Sequence, residues 1–293
     1  MDLKRVRKLV ERYRVEHGKG FRLKDRDPGD TGGLSIDKKE AEAMLQDGIA
    51  LLKDQQDMLY AQDRWALLCL FQAMDAAGKD GAIKHVFSGV NPQGVRVTSF
   101  KAPGPLERDH DFLWRHMLAL PPRGEIGIHN RSWYEEVLVA RVHPEILAAQ
   151  TLPPALRGKR IWDERLEDIA AVERYLSRQG IVVLKFFLHL SPEEQRRRFL
   201  ARIEEAEKNW KFSADDVAER RHWDAYQDAY EKAIRATAAP HAPWFVVPAD
   251  NKWFTRLVVA ACIATTLNGL DLHYPRVSEA ERERLLAARR ELE

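Results

Sequence analysis

An apolar run at 65–71, the loop Ala73-Met74-Asp75-Ala76-Ala77-Gly78-Lys79-Asp80-Gly81 and a helical segment at 82–87 constrain this chain more than any other stretch. Strand, small-residue loop with Gly-Lys, and helix is the layout of a phosphate-binding loop. Backbone N–H groups around Ala76, Ala77, Gly78 and Gly81 would form an anion cradle, helped by the positive end of the helix dipole. Lys79 would add a point charge to a phosphate chain. Two positions depart from G-x-x-x-x-G-K-[ST]: Ala73 stands at the first glycine, and Asp80 at the hydroxyl that would hold Mg²⁺. Read alone, the stretch also fits an ordinary strand-to-helix turn in which Gly78 relieves the backbone and Lys79 is solvated.

The rest of the chain narrows the choice. Its 293 residues suffice for one large α/β domain. With 31% charged and 45% apolar residues it is globular rather than disordered. A net charge of only +2 gives no bulk field for nucleic acid, so a polyanion site must come from local clustering. The two cysteines, Cys69 and Cys262, fall in apolar runs and read as core residues. No secretory apolar segment follows Met1 and no 18-residue apolar span occurs, so a soluble, cytoplasmic protein without a membrane partner is expected.

Strands alternate with helices throughout. Besides 65–71, strands are predicted at 95–100, 125–129, 181–188 and 244–247, five in all. The continuous apolar run at 181–188 suits a strand covered on both faces. Helices are predicted over 36–60 (capped by Ser35), 106–118, 162–178, from Pro192, from Ser213, and over 253–270. The pattern predicts a doubly wound, mainly parallel α/β sheet. A basic arm at 1–34, a core at 35–277 and a charged tail at 278–293 complete the division. The arm reads as a surface or packing helix followed by a turn-rich loop, where Lys24 and Arg26 could face an anion. A helical segment at about 196–222, with Arg196, Arg198, Arg202, Lys208 and Lys211, has the layout of a cationic lid. Because ligands gather at the carboxyl ends of parallel strands, Asn130 and Arg131 fall on the same sheet edge as the loop at 73–81.

Five ordered motifs then resemble the family-2 polyphosphate kinases, a branch of the P-loop kinases: FQAMDAAGKDG at 71–81, GVNPQGVRVTSF at 89–100, NRSWYEEVLVARV at 130–142, KFFLHLSPEEQRRR at 185–198 and KNWKFSADD at 208–216. The resemblance runs from about Phe21 to Tyr274. In that family's loop, Asp at position 80 is expected and Ala at position 73 is tolerated. NRSWYEEVLVARV is similar to the branch that phosphorylates both AMP and ADP, where Glu135 replaces an Asn of other branches.

The resemblance implies a P-loop kinase fold with a helical lid. It also implies a Mg²⁺-dependent, reversible transfer of the terminal phosphoryl group of inorganic polyphosphate to an adenine or guanine nucleotide, with Mn²⁺ as a substitute ion. Asp75, Lys79, Asp80 and Arg131 would be catalytic, with Asp75 and Asp80 at the metal. Lys24, Arg26, Arg196, Arg198, Arg202, Lys208 and Lys211 are candidates for the polyphosphate. Phe100, Pro103, Arg108, Asp109, Asn130 and Glu135 are candidates for the nucleotide. A homodimer or homotetramer is implied. Two other readings stay open at this level. An ATP-dependent nucleoside monophosphate kinase would prefer Ser or Thr at position 80, and a non-catalytic sensor would need the cations but not the carboxylates.

Overall fold

The computed structural model describes residues 3–34 and 38–293. The amphipathic α1 (Leu3–Tyr13) runs into a two-residue β1 (Arg14–Val15), and a loop leads to the long α2 (Lys38–Gln62). The apolar run becomes β2 (Ala66–Ala73), followed by the loop and α3 (Lys79–Val86). Then come β3 (Val95–Ser99), two short helices α4 (Pro105–Arg108) and α5 (Trp114–Met117), and β4 (Ile126–Asn130). Short helices α6 (Val139–Val142) and α7 (Pro144–Ala148) lead to α8 (Ile161–Arg178), β5 (Ile181–His189) and α9 (Pro192–Glu204). A 3₁₀ segment at Ala206–Lys211, α10 (Ala214–Glu219) and a 3₁₀ turn at Arg220–His222 connect to α11 (Trp223–Thr237). The chain ends with β6 (Trp244–Pro248), α12 (Lys252–Asn268) and α13 (Glu279–Leu292).

The sheet order is β1-β6-β5-β2-β4-β3, with β2 to β6 parallel and β1 antiparallel to β6. The sheet therefore has six strands where five are predicted. The extra strand is Arg14 and Val15 paired with Phe245 and Trp244, a segment too short to carry any periodicity. The five parallel strands are the predicted ones. The helix predicted at 106–118 splits into α4 and α5, because the Asp111 carboxylate accepts the backbone N–H of Leu113 at 2.9 Å and offers the chain a turn instead of a helix. The cap predicted at Ser35, and Ile36 after it, lie outside the described residues.

Alternation along β2 builds both layers. Leu67, Cys69 and Phe71 point into one core, with Leu52, Leu59, Val86, Phe254 and Val258 of α2, α3 and α12. Val6, Val10 and Tyr13 of α1 join that core, Tyr13 meeting Phe254 edge-on with ring centroids 5.8 Å apart. Leu68 and Leu70 point into the other core, with Trp133, Tyr134, Ile169, Tyr230 and Ile234. The tail helix α13 keeps no buried side chain.

The second core encloses a charged side chain, Lys185 of β5, with no exposure. Its Nζ donates to Glu173 Oε2 at 2.5 Å and to the Thr237 carbonyl at 2.7 Å. Tyr134 Oη meets the other Glu173 oxygen at 2.7 Å and Thr237 Oγ1 at 2.8 Å, and Trp244 Nε1 donates to that Oγ1 at 2.9 Å. Burial pushes the lysine's pKa down and the glutamate's up, and their mutual attraction opposes both shifts. Such a network holds one arrangement because each member satisfies another. Lys185→Met, which strands the Glu173 charge, should destabilise the fold by about 3–5 kcal/mol. Urea unfolding followed by tryptophan fluorescence measures it, and Lys185→Met/Glu173→Leu should recover much of the loss.

Candidate active site

The loop after β2 closes tightly because two residues take left-handed backbone: Ala76 at φ 61° and Gly78 at φ 100°. Gly78 is the residue before α3, which starts at Lys79, a turn earlier than the sequence suggests. The first N–H groups of α3 have no partner within the helix and face an anion-favouring field.

The loop's carbonyls are taken up from behind. Gln195 Nε2 donates to Asp75 O at 3.0 Å, and Arg198 Nη1 donates to Ala76 O and Ala77 O at 2.9 and 2.8 Å. A trans peptide places N–H opposite C=O. Fixing the Asp75 and Ala77 carbonyls toward α9 therefore turns the N–H groups of Ala76 and Gly78 away from it. Arg198 has been expected to hold polyphosphate, and the structure gives it a different task. Its Nε bonds Glu194 at 2.6 Å and its Nη2 bonds Ala249 O and Asp250 O at 2.6 and 3.1 Å. All five guanidinium donors are thus committed to protein. Arg198 braces the loop and has no donor left for a phosphate.

In front of the loop lies a cleft of about 650 Å³. It brings together most of the residues singled out from sequence: Asp75 to Gly81, Phe100, Asn130, Arg131, Arg202 and Lys208. Register explains how β4 contributes. Phe71 of β2 lies beside Asn130, and Arg131 N donates to Phe71 O at 3.0 Å, so the end of β4 is held against the loop. Asn130 Nδ2 donates to Asp80 Oδ1 at 2.7 Å. Arg131, at φ 66°, extends between Asp75 Oδ1 at 3.8 Å and Glu135 Oε2 at 3.7 Å.

Burial lowers the pKa of Lys79, with Arg131 adding to the effect and Asp75, Glu135 and Asp80 opposing it. Burial raises the Glu135 carboxyl, while Arg131 and Lys79 draw it back. Lys79 Nζ rests on Ala73 O at 3.1 Å.

Other candidates lie elsewhere. Lys24 is exposed, and Arg26 donates to Arg12 O at 2.9 Å and covers the Phe21 ring, so neither lines the cleft. Arg196 is exposed on α9, because Arg198 and Arg202, four residues apart, take the inward face. Pro103, Arg108 and Asp109 line a neighbouring cavity of about 430 Å³. Lys211 ends the 3₁₀ segment at Ala206–Lys211, and its side chain lies outside the described residues. Glu135 sits behind Arg131 on a 3₁₀ turn, Trp133–Glu136, rather than on an α-helix. Three cations in the cleft escaped the sequence reading: Lys101, Lys252 and Arg256. Lys252 follows the last strand's carboxyl end, where the topological rule points, and that position was the available signal.

Comparison with known proteins agrees with this geometry. The sequence profile of the family described as Polyphosphate kinase 2 (PPK2) matches residues 35–275. The chain belongs to the polyphosphate kinase 2 family. An ADP-polyphosphate phosphotransferase of Rhodopseudomonas palustris is 51% identical over 256 residues, covering 87% of this chain and 89% of the relative. An AMP/ADP-polyphosphate phosphotransferase of Meiothermus ruber is 43% identical over 271 residues, covering 92% and 97%. The crystal structure of Polyphosphate Kinase 2 from Arthrobacter aurescens TC1 superimposes with a TM-score of 0.85 at 38% identity, covering 95% of this chain and 96% of that one. The predicted P-loop kinase type of fold is thus the fold of this PPK2 enzyme. Among the described residues no helix is long and apolar enough to cross a membrane.

Elsewhere in the molecule, His143 ties the start of α7 to the end of α10. Its Nδ1 faces Glu145 Oε1 at 3.1 Å and its Nε2 faces Glu219 Oε2 at 3.0 Å. A neutral imidazole has one N–H, so satisfying both carboxylates requires the cation. Burial works against its proton, but Glu219 and Glu145 outweigh it and raise the pKa. A raised folded-state pKa stabilises fully below the unfolded value of about 6.5 and is lost as pH rises through the folded one. The melting-temperature gap between the wild type and His143→Ala should therefore be wider at about pH 6 than at about pH 9. Differential scanning fluorimetry at the two pH values checks this.

Proposed function

We propose that this enzyme transfers the terminal phosphoryl group of inorganic polyphosphate to AMP, forming ADP, and to ADP, forming ATP, reversibly. The observation that carries the reading is the pairing of Asp80 with Asn130 inside the cleft of Lys79. A carboxylate stands where an ATP-dependent kinase would keep a hydroxyl. The names of the relatives from R. palustris and M. ruber support the donor, and they differ in the acceptor.

In the proposed reaction an acceptor phosphate oxygen attacks the terminal phosphorus of polyphosphate in line. The bond to the bridging oxygen breaks, and the shortened polyphosphate leaves as the anion. The attacking oxygen is already ionised, so positioning and charge neutralisation supply most of the catalysis. Lys79 and the loop amides hold the donor's end, and Arg131 neutralises charge on the group in flight. Arg202, Lys208, Lys101, Lys252 and Arg256 surround the remaining polyanion.

Among the described residues no group of three or more His, Cys, Asp or Glu forms a metal cage. Mg²⁺ held by one or two carboxylates plus substrate phosphates and water needs none. Asp75 and Asp80 fit that donor set, with Mn²⁺ able to substitute. When bound, the ion would neutralise phosphate charge. The nucleoside would lie beyond Phe100, toward the cavity of Pro103, Arg108 and Asp109. Arg115 shapes the wall between them, donating to Lys101 O at 2.7 Å and covering the Phe100 ring. Residues 196–222 would act as the lid on a 35–277 core, with 1–34 and 278–293 as attachments. Adenine or guanine as the base, cytoplasmic location and a homodimer or homotetramer belong to the same proposal and are supported by family membership.

A coupled assay offering AMP or ADP with polyphosphate, and separately with ATP, tests the donor. Turnover is expected with polyphosphate, and turnover with ATP alone would overturn the reading. Lys79→Ala should lower turnover by at least about 10³-fold while leaving circular dichroism and melting temperature unchanged. Glu135→Asn should change kcat/KM for AMP and ADP unequally. An equal loss on both removes Glu135 from acceptor selection.

A further inference from the structure

Behind the phosphate loop, one buried amide bonds both the loop backbone and the turn that follows α10. Gln195 of α9 is 2% exposed. Its Nε2 donates to Asp75 O at 3.0 Å, and its Oε1 accepts from Arg220 Nη1 at 2.9 Å. A guanidinium only donates and a carbonyl only accepts, so the amide's orientation is fixed by its partners. Arg220 opens the 3₁₀ turn that follows α10, and it also donates to Pro192 O at 3.1 Å. The helix α10 carries Asp216, which faces Arg202 of the cleft at 3.3 Å.

We infer that Gln195 is a positioning residue that couples the α10 segment to Asp75. Where α10 sits fixes Arg220. Arg220 orients the Gln195 amide, and the amide fixes the peptide after Asp75, at the point where the backbone turns left-handed at Ala76. A shift in the segment that closes the cleft is thereby felt at the carboxylate facing Arg131, 3.8 Å away. The inference rests on the phosphotransfer reading. Its physical basis is that a small misplacement of an active-site group costs turnover more than substrate binding.

The test is a double-mutant cycle on the full-length enzyme with Mg²⁺, polyphosphate and ADP or AMP. Gln195→Met keeps the volume and loses both bonds, and Arg220→Met removes the other end. Each single substitution should lower kcat by about tenfold and move either KM less than about threefold. The double variant should be no slower than the slower single, because the second substitution removes a link already broken. Gln195→Glu keeps Arg220 but sets an acceptor against Asp75 O, so it should be at least as slow as Gln195→Met even where its melting temperature is higher. Multiplicative losses in the double variant, wild-type kcat in a folded Arg220→Met, or wild-type kcat in Gln195→Glu would each overturn the coupling. If Gln195→Met does not fold, Arg220→Met and Gln195→Glu still decide. A wild-type enzyme inactive with polyphosphate would instead sink the phosphotransfer reading itself.

Discussion

One guanidinium sets the shape of the active site. Arg198 reaches Ala77 across 121 residues of sequence and Ala249 across 51, and its Nε is pinned by Glu194 one turn earlier. Hydrogen bonds from a charged donor are the stronger kind, and here they are spent on backbone carbonyls. The result is a loop whose polarity is imposed from outside. The carbonyls of Asp75, Ala76 and Ala77 are consumed at the rear, the Ala77 N–H closes the turn on Met74 O at 3.3 Å, and the N–H groups of Ala76 and Gly78 are turned to the opposite side. The phosphate loop is thus completed by α9 and the end of β6 as well as by its own sequence.

The scaffold underneath resists distortion for a different reason. The central strand β2 is buried on both faces, with alternate residues feeding two separate cores. The second core is specified by the satisfied ring of Lys185, Glu173, Tyr134 and Thr237 rather than by apolar packing alone. This ring fixes α8 and α11 relative to β5. Tyr134 also anchors the 3₁₀ turn carrying Glu135, so the turn inherits the rigidity of the core.

Much of this was legible in the amino-acid order. The five strands read from the sequence are the five parallel strands of the sheet, and the loop with Gly78 and Lys79 stands at the carboxyl end of β2, facing the cleft. What escaped was set by contacts distant in sequence. Nothing in Arg14 and Val15 marks them as a strand until β6 offers an edge. Arg196, Arg198 and Arg202 look equivalent along the chain, yet Arg196 faces solvent while the other two face the cleft, Arg198 with its donors committed to the loop and its neighbours and Arg202 opposite Asp216. Helical spacing separates Arg196 from the pair but cannot tell which of the two braces the loop, because that depends on where four carbonyls lie. Lys101 and Arg256 are two surface-type cations among 47 basic residues. Only the fold of α12 against α3 brings Arg256 near the loop, its Nη2 lying 4.0 Å from the place a Gly81 side chain would occupy.

Arg131 carries a consequence of its own. A side chain larger than glycine in left-handed backbone costs roughly 1 kcal/mol. The fold bears this cost to aim a guanidinium between Asp75 and Glu135. A glycine here would relax the backbone but would also remove the guanidinium from between the two carboxylates. Backbone strain and the placing of a charge between two carboxylates thus fall on one and the same residue.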